Sequence, residues 1–260
     1  MSASATIYGV GLGPGDPELM SLKAARLIAK AGVIAHFRKS GRPGNARAVV
    51  DGMLAPGVIE EALEYPVTTE IALEDPAYGD VLRIFYDDCV HRLLQHVAAG
   101  RDVAVLCEGD PFLYGSFMHL HSRITGRAPV VVVPGISGMS GCWTASGVPI
   151  TFGDDVLTVV PATLDEATLH ERLQSIDALV VMKLGRNLPK VRRALQAAGL
   201  AERAIYVERG TMAGEKVLRL ADKTDDEAPY FSMILVHGRG RRPLPAGSPS
   251  PASAPERRNW

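Results

Sequence analysis

One local pattern constrains this chain more than any other: a short β-forming run that ends at once in a glycine-bearing turn. It occurs three times before residue 142. Gly9-Val10-Gly11-Leu12-Gly13-Pro14-Gly15-Asp16-Pro17 closes the run beginning at Thr6. Cys107-Glu108-Gly109-Asp110-Pro111 closes residues 102–106, and Pro134-Gly135-Ile136-Ser137-Gly138-Met139-Ser140-Gly141 closes a run of four valines. Glycine tolerates positive φ and lets another group approach the backbone closely. In open parallel sheets, ligands sit beyond the carboxyl ends of strands. The pattern therefore predicts an α/β protein with its site on these turns.

The stretches between the turns read as helices. Ser21 caps one that runs to about residue 31, ahead of a strand at 33–35. Val81, Ile84, Phe85, Cys89, Leu93 and Val97 recur at three- and four-residue steps, predicting a helix over 81–99 that Gly100 ends. Later strands are expected at 156–160, 178–182, 204–207 and 231–236, with a helix at 188–198 stopped by Gly199. Such alternation argues for mostly parallel sheets faced by helices. We read two α/β domains, 1–126 and 127–238. The tail at 239–260, rich in proline and arginine, is expected to be disordered.

Charge narrows the function. Lys and Arg total 28 against 29 Asp and Glu, a balance that argues against a general nucleic-acid binder. The distribution is uneven, however. Lys23, Arg26, Lys30, Arg38, Lys39, Arg42 and Arg47 lie in a stretch, 19–50, without an acid. Residues 51–88 then hold ten acids and one base, Arg83. Either these are two oppositely charged solvated faces, or the basic stretch meets an anionic ligand. Cys89, Cys107 and Cys142 form no CxxC pair, which disfavours a disulfide framework or zinc–thiolate site and fits a reducing, cytoplasmic setting. No apolar run is long enough for a membrane span and no secretion signal is expected. His119 and His121, two residues apart on a helix, point in different directions, and no metal site is expected.

Familiar glycine motifs do not fit. A dinucleotide fingerprint would have Pro14 or Asp16 in its third glycine place, and no acid for a ribose lies between Glu18 and Asp51. No G-K-[ST] ends a phosphate loop, and Met139 stands where a serine-hydrolase elbow needs glycine. Asp110 is placed either to accept from a ribose or amine, or to cap the helix that follows.

Taken together, Gly11-Leu12-Gly13-Pro14-Gly15-Asp16, Glu108-Gly109-Asp110-Pro111 and Pro134-Gly135-Ile136-Ser137-Gly138 resemble the tetrapyrrole (corrin/porphyrin) methylase family. Met182-Lys183-Leu184-Gly185, Glu208-Arg209-Gly210-Thr211 and a final apolar strand continue the match in family order over residues 5–238. Residues 108–118, the stretch Lys39 to Ala46, and Pro66-Val67-Thr68-Thr69-Glu70 are similar to the branch that methylates precorrin-2 at carbon 20.

The resemblance implies two α/β domains with a ligand trough between them, and S-adenosylmethionine as methyl donor. It implies cofactor contacts at Pro14, Glu108, Gly109, Asp110, Leu113, Ser137, Gly138, Lys183, Leu184 and Gly210, several through the backbone. No residue is marked as catalytic; Glu108 is the best-placed candidate base. Precorrin-2 carries many carboxylates, which call for Arg and Lys, with Arg favoured for bidentate pairing. Arg38, Lys39, Arg42 and Arg47 are the candidates, with His36 and Phe37 beside them. The implied product is precorrin-3A, and the implied assembly a homodimer without nucleic acid, membrane or metal. A cobalt-loaded substrate, methylation at another position, and a non-catalytic tetrapyrrole carrier remain the alternatives.

Overall fold

The structure, a computed structural model, describes residues 5–66 and 76–240. Residues 67–70 of the third branch-like stretch, and the tail from 241 on, lie outside the described residues. The chain divides into two compact units, Met1–Gly138 and Met139–Trp260, each built on its own five-stranded sheet.

In the first unit the order is β1 (Ile7–Gly11), α1 (Leu22–Ile28), β2 (Val33–Lys39), α2 (Asn45–Val49), β3 (Ile59–Tyr65), α3 (Pro76–Ala98), β4 (Val103–Cys107), α4 (Phe117–Ile124) and β5 (Val130–Val133). The sheet runs β3-β2-β4-β1-β5, and every pair in it is parallel. The two-residue alternation of a strand sorts its side chains. Val33, Ala35, Val103 and Val105 pack against Phe85 and Leu93 of α3 and Phe117 and Leu120 of α4. Val10, Ile34, Ala104 and Leu106 pack against Ala24 and Ile28 of α1 and Ala46 of α2. Ser21 caps α1 as expected, its Oγ accepting the Ala24 amide at 3.2 Å.

The helix placement positions the site. The connection leaving β1 crosses the α1 face toward β2, whereas the connection leaving β4 crosses the α4 face toward β5. Neighbouring β1 and β4 thus send their chains in opposite directions, which opens a crevice at their carboxyl ends.

Two expectations change. The four-valine run does not begin the second unit; it pairs with β1, Val10 against Val133, and the first unit reaches Gly138 rather than Gly126. The second unit contains α5 (Gly138–Ser146), β6 (Leu157–Pro161), α6 (Glu166–Arg172), β7 (Ala178–Met182), α7 (Leu188–Ala197), β8 (Ala204–Glu208), β9 (Lys216–Arg219) and β10 (Ser232–Val236). Its sheet, β6-β7-β10-β8-β9, is mixed rather than mostly parallel. Only β6 and β7 are parallel: the last strand inserts antiparallel between β7 and β8, and β9 returns antiparallel on β8. Leu169, Leu188, Val191 and Leu195 of α6 and α7 cover one face, and Cys142 and Ala145 of α5 the other. All three cysteines are buried and free. Among the described residues, no helix is long and apolar enough to cross a membrane.

Candidate functional site

The three glycine-bearing turns converge within the first unit, at the carboxyl ends of β1, β4 and β5. They touch backbone to backbone. A Cβ on Gly135 would lie 2.1 Å from the Gly109 carbonyl oxygen, and one on Gly11 would lie 2.5 Å from the Gly135 nitrogen. Gly13 and Gly109 exchange two hydrogen bonds: the Gly109 amide donates to the Gly13 carbonyl at 2.8 Å, and the Gly13 amide donates back at 3.3 Å. Gly13 (φ 81°) and Gly109 (φ 64°) occupy the left-handed region this exchange requires. Gly9 belongs elsewhere. A Cβ there would meet the Phe117 ring at 2.3 Å, so this glycine seats α4 against the sheet.

Carboxylates fasten the junction. Asp110 Oδ2 accepts the Gly135 amide at 3.0 Å, and its Oδ1 accepts the Phe112 amide at 2.9 Å. The residue thus straps the loop after β5 while bending its own loop, and does not cap α4. Asp16 Oδ1 accepts the Glu18 amide at 2.9 Å. Glu108 Oε1 accepts the Ala46 amide of α2 at 3.2 Å. Its carboxyl is walled in by protein yet still reached by solvent, and these surroundings push its pKa up even though the Ala46 amide favours the anion. Pro14 is buried in the junction, whereas Leu113, Ser137 and Gly138 are part-exposed around it. Residues 12–16, 108–111 and 134–138 hold Asp16, Glu108 and Asp110 and no Lys or Arg.

The cations lie one strand away, at the end of β2. Arg38 pairs with Glu64 at 2.9 Å, and Arg47 pairs with Glu60 at 2.5 Å and Asp51 at 3.3 Å. Half of the expected basic set is thus matched by the acids of β3, so the charge asymmetry of the sequence is partly an internal pairing. Lys39, the last residue of β2, and Arg42, on the exposed turn it opens, form no ion pair among the described residues. His36 is buried beneath Gly44, with its Nδ1 lacking a hydrogen-bond partner. Burial pushes its pKa down; Glu60 opposes this, and Arg47 and Arg38 add to it. Phe37 turns to the opposite face and stacks on Tyr65 with ring centroids 5.4 Å apart.

Sequence reasoning missed three features. Phe112, Tyr114 and Ile136 stand exposed on the same loops, offering apolar surface beside the acids. The Ala46 amide has no side-chain signature at all. The third is strain. Among the described residues, five other than glycine have positive φ, and four of them, Tyr114, Lys183, Arg209 and Thr211, sit on loops expected to bind ligand. Such backbone costs about 1–3 kcal/mol per residue and clusters at functional sites.

In the second unit, Lys183 is exposed at the end of β7 with φ 58°, while the Leu184 side chain is fully buried in the core. Any ligand contact of Leu184 would therefore run through its backbone. Gly210 is buried against α5, where a Cβ would approach Cys142 Cα to 2.9 Å. His119 stacks on Tyr86, whereas His121 meets Phe112 edge-on, so they diverge as their spacing requires. Among the described residues, no group of three or more His, Cys, Asp or Glu is arranged to hold a metal.

Comparison with known proteins adds four findings. The sequence model for the Tetrapyrrole (Corrin/Porphyrin) Methylases matches residues 6–223. A precorrin-2 C(20)-methyltransferase from a Sinorhizobium species is 55% identical over 237 residues, covering 91% of this chain and 97% of that protein. A cobalt-precorrin-2 C(20)-methyltransferase from Salmonella typhimurium is 27% identical, over 89% of this chain and 95% of that one. Among solved structures, a uroporphyrin-III C-methyl transferase from Thermus thermophilus, complexed with S-adenyl homocysteine, superposes with a TM-score of 0.63. At 24% identity, over 90% of this chain and 92% of that one, it shows the shared fold.

Proposed function

Because the chain belongs to the tetrapyrrole (corrin/porphyrin) methylase family, we propose that it methylates precorrin-2 at carbon 20, using S-adenosylmethionine, to give precorrin-3A in cobalamin biosynthesis. One observation carries the reading. Loops holding only acidic charge and a turn with two cations that form no ion pair among the described residues lie side by side at one end of the same sheet. A sulfonium donor suits the first and a polycarboxylate ring the second.

When bound, S-adenosylmethionine supplies an already activated methyl group. The protein's task is then alignment and exclusion of water. The glycine junction offers closely approachable backbone, and Asp16, Glu108 and Asp110 provide a negative field without a lysine or arginine to repel the sulfonium. Phe112, Tyr114 and Ile136 offer apolar surface to a flat ring, while Lys39 and Arg42 meet its carboxylate rim. The methyl carbon leaves sulfur and bonds to carbon 20, the displaced ring proton passes to water or a base, and S-adenosylhomocysteine departs. Glu108, with a raised pKa and solvent access, is suited to hold that proton, although its hydrogen bond to α2 marks it first as a positioning residue. Action as a homodimer and in the cytoplasm completes the reading, the latter supported by three free, buried thiols.

The deciding experiment supplies metal-free and cobalt-loaded precorrin-2 in parallel with a carbon-13-labelled methyl donor. The expected product carries one label at carbon 20, from the metal-free ring. Label at another carbon, or turnover of the cobalt form alone, overturns the assignment. Ring binding without transfer identifies a carrier. Sedimentation at twice the 27.8 kDa chain mass tests the dimer.

A further inference from the structure

We propose that Glu108 mechanically couples the methyl-donor loop to the cationic turn, so that occupancy of the donor site tightens binding of the tetrapyrrole. The inference rests on the functional reading above and adds a role for one side chain.

The turn carrying Lys39 and Arg42 is anchored at both ends. Its start is the end of β2. Its finish is Gly44, where a Cβ would lie 2.5 Å from the Phe37 carbonyl oxygen and 2.8 Å from His36 Cδ2. Gly44 is also the N-cap of α2 and brings no side chain to satisfy the first amides of that helix. A helix of five residues is marginal without a cap. Glu108 supplies the bond from outside: its Oε1 accepts the Ala46 amide across 62 residues of sequence. Among the described residues Glu108 forms no ion pair, and beside its own backbone amide it is the Ala46 amide that its carboxylate holds.

The other end of Glu108 is equally constrained. The next residue, Gly109, exchanges two backbone hydrogen bonds with Gly13, and Asp110 holds the Gly135 amide. A ligand that fixes Gly109 and Asp110 therefore fixes the Glu108 backbone, and through its side chain the first turn of α2. The turn with Lys39 and Arg42 follows. Coupling of this kind is reciprocal: whatever factor one ligand gains, the other gains too.

The test measures precorrin-2 affinity by fluorescence with and without saturating S-adenosylhomocysteine, which cannot turn over. In the native protein, S-adenosylhomocysteine should tighten precorrin-2 binding about tenfold, within the usual span of such couplings. Glu108→Gln keeps an oxygen acceptor at the same reach and should keep the ratio. Glu108→Asp keeps the charge but shortens the reach, and Glu108→Ala removes the acceptor; in both the ratio should fall toward one. Circular dichroism melts verify that each variant is folded, and if Glu108→Ala is not, Glu108→Asp decides. A native ratio of one overturns the proposal. So does an unchanged ratio in Glu108→Asp. Methyl transfer assayed on the same native preparation separates this failure from failure of the functional reading.

Discussion

The Oδ2 of Asp110 accepts the Gly135 amide at 3.0 Å, so a carboxylate placed after β4 sets where the loop after β5 begins. The bond joins two turns 25 residues apart in sequence.

Asp110→Ala removes the acceptor for Gly135 and for Phe112 together. Hydrogen bonds to a charged acceptor contribute about 1.5–3 kcal/mol each when buried, and Asp110 is only part-buried, so we expect a loss of about 1–3 kcal/mol in total. Affinity for S-adenosylhomocysteine should fall by about tenfold, roughly 1.4 kcal/mol. Denaturant unfolding and calorimetry read the two effects. Unchanged affinity would remove Asp110 from the donor site.

The glycine contacts make a sharper prediction. Gly135→Ala pushes a methyl group to 2.1 Å from the Gly109 carbonyl oxygen, a backbone atom with nowhere to go. Overpacking of this kind costs about 1–3 kcal/mol or more. Gly79→Ala is its counterpart: it lies in α3 with nothing within 4 Å among the described residues and should stabilise the protein by about 0.5–1 kcal/mol. Equal melting temperatures for the two variants would refute the packing account.

The basic residues divide into two classes. Arg42→Glu and Lys39→Glu should each weaken precorrin-2 binding by about tenfold, the scale of a lost charged hydrogen bond. Arg38→Gln and Arg47→Gln leave Glu64 and Glu60 unpaired at the surface and should cost only about 0–1 kcal/mol of stability. If the order of the effects on binding is reversed, the exposed turn is not the ring's contact.

Acid sensitivity follows from two buried histidines. Burial is the chief cause holding His36 and His237 below the ordinary 6.5. As pH drops below 6.5, the unfolded chain takes up protons that the folded chain refuses, so stability declines through that interval until the folded values are passed. His237 Nδ1 donates to the Pro149 carbonyl at 3.0 Å, and His237→Asn keeps a donor in that place. Urea midpoints at about pH 7.5 and about pH 5.5 should differ less in His237→Asn than in the native protein. An undiminished difference assigns the effect elsewhere.

Much of the fold was readable because local period and turn chemistry agree with tertiary packing. β7 occupies its expected residues, 178–182, and Ser21 and Gly100 bound their helices where predicted. β3 was not anticipated, for a physical reason. Its Glu60, Glu61 and Glu64 break the apolar alternation, and they do so because Arg47, Arg38, Arg92 and His96 meet them from both faces. The mixed second sheet was equally hidden, since nothing local to residues 232–236 says which strands they will join. At the site, the three turns could be named from glycine spacing. That Gly9 seats Phe117, or that Glu108 bonds Ala46, depends on contacts no spacing encodes.

The middle place of β10 in its sheet bears on how the protein is made. The first sheet has all its strands once Val133 has left the ribosome, but the second lacks its central strand until Val236 emerges. At about 5–20 residues per second, that delay is on the order of ten seconds. Its last part, after Glu208 has emerged, leaves a finished amino-terminal sheet on the same chain as sticky, unclosed strands of β7 and β8, the interval in which a chaperone has most to protect.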